Sequence, residues 1–164
     1  MGMELVEHIE ITTTSSSIQF NNIPQTGKDL IVYLNWKAPT NLFWMKIRTN
    51  NLAPANHYNW QFFNSVKNGQ VSSSIGASIM GVQTAVNAGY NYDLKIIAQG
   101  YTKDTLKGIS SVATVTSDNG LNFKYWLVGS TTTQNGTLPM TSMQLTPDSG
   151  VFTAGTIASL YIVS

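Results

Sequence analysis

Apolar and polar side chains alternate along most of this chain, and that period of two constrains its fold more than any other feature. Ile18 and Phe20 alternate with Ser17, Gln19 and Asn21, and Leu30, Val32, Leu34 and Trp36 hold one parity of the run 29–37. Phe43, Met45 and Ile47 share a parity against Trp44, Lys46 and Arg48, and Leu121, Phe123, Tyr125 and Leu127 alternate with Asn122, Lys124 and Trp126. Successive side chains of a strand point to opposite faces, so such runs describe strands with one face buried. No window of about 11 residues or longer keeps the i, i+3, i+4, i+7 stripe of an amphipathic helix. One segment is ambiguous. Glu4, Glu7 and Glu10 are spaced by three, as on a helix face, whereas Leu5, Glu7, Ile9 and Ile11 fit a strand at least as well.

Turn chemistry separates the runs. Asn68-Gly69 divides 58–66 from 71–79, and Asp118-Asn119-Gly120 divides 112–116 from 121–128. Asn-Gly supplies the positive φ angles of the tight hairpin turn whose twist matches the flanking strands. Asn135-Gly136, Pro24 to Gly27 and Pro147 to Gly150 mark further reversals. Strands are expected over the segments 4–13, 16–22, 29–37, 42–49, 57–66, 71–79, 91–99, 106–116, 121–131, 139–146 and 156–163, the first being the doubtful one. Short antiparallel strands in that number predict an all-β chain: a single antiparallel β-sandwich, jelly-roll-like, with little or no helix. Residues 16–164 form the expected sandwich domain, and 1–15 an N-terminal arm or edge strand that offers backbone groups to a neighbouring subunit.

The 164 residues carry nine Lys/Arg and eight Asp/Glu, only 10% of the chain, against about 25% in an ordinary soluble protein. Ser, Thr, Asn, Gln and Gly take their place. A net charge of +1 gives no electrostatic footprint for duplex nucleic acid, whose affinity is built from many phosphate contacts. Absence of cysteine removes disulfides, thiolate metal sites and cysteine nucleophiles. Residues 1–10 carry three glutamates and no basic stretch, unlike a secretory leader, and no apolar run approaches the length of a membrane span. No nucleic acid and no membrane insertion are expected.

Searches for chemistry return little. Gly76-Ala77-Ser78-Ile79-Met80 lacks the second glycine of a nucleophile elbow, and Gly27-Lys28 is followed by Asp29 rather than the Ser or Thr of a phosphate loop. His8 and His57 are the two histidines, distant in sequence, and Asp118-Asn119-Gly120 is too short for a calcium loop. No catalytic residue, metal or cofactor is assigned, and the chain is not expected to be an enzyme. The feature above background is aromatic: Trp36, Phe43, Trp44, Tyr58, Trp60, Phe62 and Phe63 fall within one stretch. Most of these rings suit a sandwich core. Trp44 shares its parity with Lys46 and Arg48, on the face expected to be wet. A Trp there can fill a partner's pocket or stack on a sugar ring. Trp44, Lys46, Arg48, Tyr58 and Trp60 are therefore the candidates for an interface or a glycan contact.

Two segments carry a resemblance. Ser17-Ile18-Gln19-Phe20-Asn21-Asn22-Ile23-Pro24-Gln25-Thr26, followed by Asp29-Leu30, resembles the recurrent opening of a group of tailed-bacteriophage virion proteins. Pro139-Met140-Thr141-Ser142-Met143-Gln144-Leu145, then Gly150, Phe152, Gly155 and Ala158-Ser159-Leu160-Tyr161, is similar to the closing pattern of the same group. Its members are tail-fibre, head-fibre or capsid-associated structural proteins. The resemblance implies a non-enzymatic β-sandwich located in the virion. Implied partners are other virion proteins, major capsid or tail, and further copies of the chain itself, as a trimer. The chain departs from the pattern twice. The position after Gln25-Thr26 is usually aromatic and here is Gly27, and the usual ending puts Gly-Ile after Leu-Tyr where this chain has Ile162-Val163-Ser164. Without heptads or repeats for a fibre shaft, capsid decoration is the leading expectation. The alternative is a carbohydrate- or receptor-binding module of a fibre or tail, which would place a host surface glycan among the partners.

Overall fold

The computed structural model describes residues 2–38, 42–50, 58–64, 70–77, 80–86, 88–116, 122–131 and 138–164. These contain twelve strands and no helix. In chain order they are β1 (Met3–Glu10), β2 (Ile18–Phe20), β3 (Asp29–Lys37), β4 (Leu42–Thr49), β5 (Tyr58–Asn64) and β6 (Gln70–Ala77). They continue as β7 (Met80–Val86), β8 (Asn91–Gln99), β9 (Gly108–Thr116), β10 (Asn122–Thr131), β11 (Met143–Pro147) and β12 (Ile157–Val163). An eight-stranded sheet runs β1-β12-β3-β8-β9-β10-β5-β6, and a four-stranded sheet runs β2-β11-β4-β7. Every pairing is antiparallel. The expected all-β sandwich is the observed class.

Alternation decides which residues meet between the sheets. Leu30, Val32, Leu34 and Trp36 of β3, Tyr92, Leu94, Ile96 and Ala98 of β8, and Ala158, Leu160 and Ile162 of β12 all point inward and are buried. Facing them are Ile18 and Phe20 of β2, Met45 and Ile47 of β4, and Met143 and Leu145 of β11, in one continuous core. Trp36 packs edge-on against Tyr92 and Phe152, with ring centroids 6.1 and 5.2 Å apart. Burial of each such ring or aliphatic chain contributes roughly 1.5–3 kcal/mol.

The ambiguous first segment is a strand. It pairs with β12 from Met3 opposite Val163 to Glu10 opposite Ile157, with a bulge between Leu5 and Glu7, and stands at one end of the sheet. Three glutamates and a bulge on such a position discourage uncontrolled edge-to-edge pairing. Both expected hairpins have the right partners: β5 pairs β6 with Asn64 opposite Gln70, and β9 pairs β10 with Thr116 opposite Asn122. Their Asn68-Gly69 and Asp118-Asn119-Gly120 turns lie outside the described residues. The expectation missed β7. Its Met80-Gly81-Val82-Gln83-Thr84-Ala85-Val86 sequence includes Gly81 and Ala85, poor strand formers, and no turn residue separates it from the preceding segment.

A candidate interaction surface on the eight-stranded sheet

The inward parity of β3, β8, β9 and β12 fills the core, so the other parity forms the outer face of the large sheet. That face is not uniformly polar. Tyr33, Val112 and Ile157 are each 39% exposed and Val128 56%. Register aligns two adjacent rows across four strands. One holds Ser159, Tyr33, Lys95 and Val112, and the next holds Ile157, Asn35, Asp93 and Thr114. Directly opposed residues of neighbouring strands lie about 4.5–5.5 Å apart, so each row is a contiguous strip. Between the strips lies a groove of about 450 Å³, floored by Leu34 and Leu94.

Polar contacts hold the groove's side chains in place. Lys95 Nζ stands 5.5 Å from the Tyr33 ring centroid, and Tyr161 meets the same ring edge-on at 5.8 Å. Asn35 Nδ2 donates to Asp93 Oδ1 at 2.6 Å, and Ser159 Oγ shares a 2.9 Å hydrogen bond with His8 Nδ1. The result is an ordered aromatic and aliphatic surface with one acid and one base on adjacent outward positions of β8.

The candidates drawn from the sequence divide between the two sheets. Trp44, Lys46 and Arg48 do share the outward face of β4, half-buried, while Met45, Ile47 and Thr49 are buried. Their strand lies between β11 and β7, with Gln144 opposite Arg48 and Thr146 opposite Lys46. Trp44 also receives the Asp148 N–H on its carbonyl at 2.9 Å. Tyr58 and Trp60 belong to β5 of the other sheet, opposite Thr131 and Gly129 of β10. Their side chains, with those of Phe43 and Phe62, lie outside the described residues, as does His57. Trp44 and Trp60 therefore sit on different sheets. Sequence reasoning passed over Tyr33, Asn35, Asp93, Lys95, Val112 and Ile157. The available signal was Ile31 and Tyr33 on the parity opposite to Leu30, Val32 and Leu34: a strand apolar on both faces has something to cover on each.

A second concentration of specific contacts joins the two ends of the chain. β2 pairs β11 and β3 pairs β12, so the segments 17–30 and 139–161 are neighbours in space. Tyr101, buried between them, donates its hydroxyl proton to the Pro24 carbonyl at 2.6 Å and accepts the Gly27 N–H at 3.2 Å. Burial pushes the Tyr101 phenol above its ordinary value of 10.0, against the opposing pull of the backbone hydrogen bonds from Gly27 and Thr26. Gln25 Nε2 bridges the Ile23 and Met140 carbonyls at 2.8 and 3.0 Å. Gly27 lies against Ile162 and Val163 so closely that a Cβ there would overlap Ile162 Cγ2 and come within 2.9 Å of the Val163 carbonyl oxygen.

Nearby, Lys107 is 1% exposed, with its ammonium donating to the Lys103 and Thr105 carbonyls. Burial lowers its pKa from the usual 10.5, partly opposed by Asp104. This is the geometry of a loop clamp. Among the described residues, no group of three or more His, Asp or Glu is gathered to hold a metal ion, and no helix is long and apolar enough to cross a membrane. No protein-family model matches the chain, and no curated protein matches its sequence.

Proposed function

We propose that this chain is a non-enzymatic structural component of a tailed-phage particle, a capsid-decorating or capsid-associated protein that acts through protein–protein contacts. The observation that supports this most directly is the packing of Gly27 against Ile162. The virion proteins it resembles usually carry an aromatic residue at the first of these positions and glycine at the second. This chain has glycine at the first and a branched aliphatic residue at the second. The two departures are in contact, and they are opposite in size. A large–small pair exchanged for a small–large pair keeps the volume at the junction, which is how packed positions vary when the surrounding geometry is retained. Low charge suits the same role, since charged side chains at permanent contacts must be desolvated.

A second reading, a carbohydrate- or receptor-binding module, draws on the exposed Tyr33 ring beside the Asn35–Asp93 pair. Particles banded on a density gradient from the source lysate test the first reading. Mass spectrometry should find the chain in the particle band at a fixed ratio to the major capsid protein. Its absence from that band would overturn the proposal, and selective retention on a glycan array would favour the second reading.

A further inference from the structure

We infer that the groove on the outer face of the eight-stranded sheet is the contact through which two copies of this chain pair, face to face, about a two-fold axis. Its two walls are complementary to each other. A two-fold axis lying in the sheet surface, between the rows and across the strands, lays each row of one copy on the other row of the second. Tyr33 then meets Asn35 of the second copy, Val112 meets Thr114, and Lys95 meets Asp93. The rotation generates every contact twice, as an isologous interface requires.

The composition of the groove selects this occupant. Aliphatic and aromatic carbon makes up most of its walls, which suits another protein surface better than a saccharide with hydroxyls to satisfy. One acid and one base on adjacent outward positions of β8 form a patch complementary to itself. A net charge of +1 leaves little long-range repulsion between copies. Aligned sheets pack about 10 Å apart at roughly 30°, so contacts nearest the axis are kept best. Lys95 and Asp93 are there, on a central strand of the four. A two-fold contact closes on itself, and the trimer implied by the virion resemblance would have to use a different surface.

The experiment needs only the purified full-length chain, so it is independent of whether the chain belongs to a virion. Sedimentation equilibrium at about 50 μM should give twice the chain mass, as expected for a contact of micromolar affinity or better. Asp93→Lys and Lys95→Asp should each give monomers, with Kd raised by about 1,000-fold or more, because each reversal sets two pairs of like charges together in a desolvated contact. Mixing the two variants should restore a dimer containing one of each, since every cross-pair is then of opposite sign. Circular dichroism confirms that each variant folds. Should one not fold, Val112→Glu on the neighbouring strand is the replacement and must also give monomers. A monomeric wild type overturns the inference, as does a dimer indifferent to these changes or a mixture that fails to re-form. Glycan binding quenched by Tyr33→Ala in a monomeric wild type would assign the groove to a saccharide instead.

Discussion

Gly27 and Ile162 occupy the space of one large side chain between them: the Cβ that Gly27 lacks would overlap Ile162 Cγ2. Gly27 also donates its N–H to the Tyr101 hydroxyl, and Lys28 next to it donates to the Val163 carbonyl at 2.7 Å, so the loop cannot back away cheaply. Gly27→Ala is expected to lower stability by about 1–3 kcal/mol through overpacking. Ile162→Ala alone should cost about 2–5 kcal/mol through the lost burial and the cavity. Together they should cost less than the sum, by about 0.5–3 kcal/mol, because each relieves the other. Urea unfolding of the four proteins measures the coupling. Gly27→Tyr with Ile162→Gly, the arrangement of the resembling proteins, should fold where Gly27→Tyr alone does not.

Asn50 ends β4 in the left-handed region, at φ 53°. Its side chain accepts the Thr141 N–H at 2.7 Å and donates to the Pro139 carbonyl at 2.9 Å. Asn tolerates that backbone conformation better than most residues. Asn50→Ala should therefore destabilise by about 1–3 kcal/mol, from unpaired groups and backbone strain together. Asn50→Gly removes the strain but not the lost hydrogen bonds, and should fall between the two in denaturant midpoint.

Stability should respond to alkaline pH in two opposite ways. The folded-state pKa of Lys107 is depressed. The unfolded chain thus holds more protons between that lowered value and 10.5, and stability rises with pH across this window. Tyr101 has a raised folded pKa, so the unfolded state loses its proton first and stability falls as pH climbs past 10.0. Relative to Lys107→Met, the wild type should gain stability as pH rises towards 10.5. Relative to Tyr101→Phe, it should lose stability above 10.0. Denaturation midpoints across that range test both signs, and a flat difference for either pair would reject the corresponding assignment.

Trp44 is half-buried rather than fully exposed, so its truncation should be felt within the chain as well as at any partner. Trp44→Ala is expected to cost about 1–2 kcal/mol of subunit stability, below the 3–5 kcal/mol of a fully buried ring. If the chain belongs to a phage particle, as proposed, and its four-stranded sheet meets the particle's other proteins, incorporation of the variant into particles should fall roughly 30-fold or more, the effect of losing a central aromatic anchor. Thermal unfolding and quantitation of the particle band separate the two effects.

The alternation of Leu30, Val32, Leu34 and Trp36 determined a strand and its buried face, and that of Met45 and Ile47 against Trp44, Lys46 and Arg48 did the same for β4. Both were legible because a strand's period of two is imposed by its own backbone, residue by residue. Asn68-Gly69 and Asp118-Asn119-Gly120 likewise determined that β5 pairs β6 and β9 pairs β10. Only the tertiary structure decided that β3 lies between β12 and β8, that Trp44 and Trp60 belong to different sheets, and that Gly27 touches Ile162. Pairings between strands far apart in the chain are set by which inward faces fill one core together. A slip of a single residue would turn every side chain to the opposite face. Tyr33 stands in one row with Lys95 and Val112 because Leu34, Leu94 and Ala113 are all buried inward in the same register. No local pattern in the sequence encodes the agreement of β3 with the distant β8 and β9.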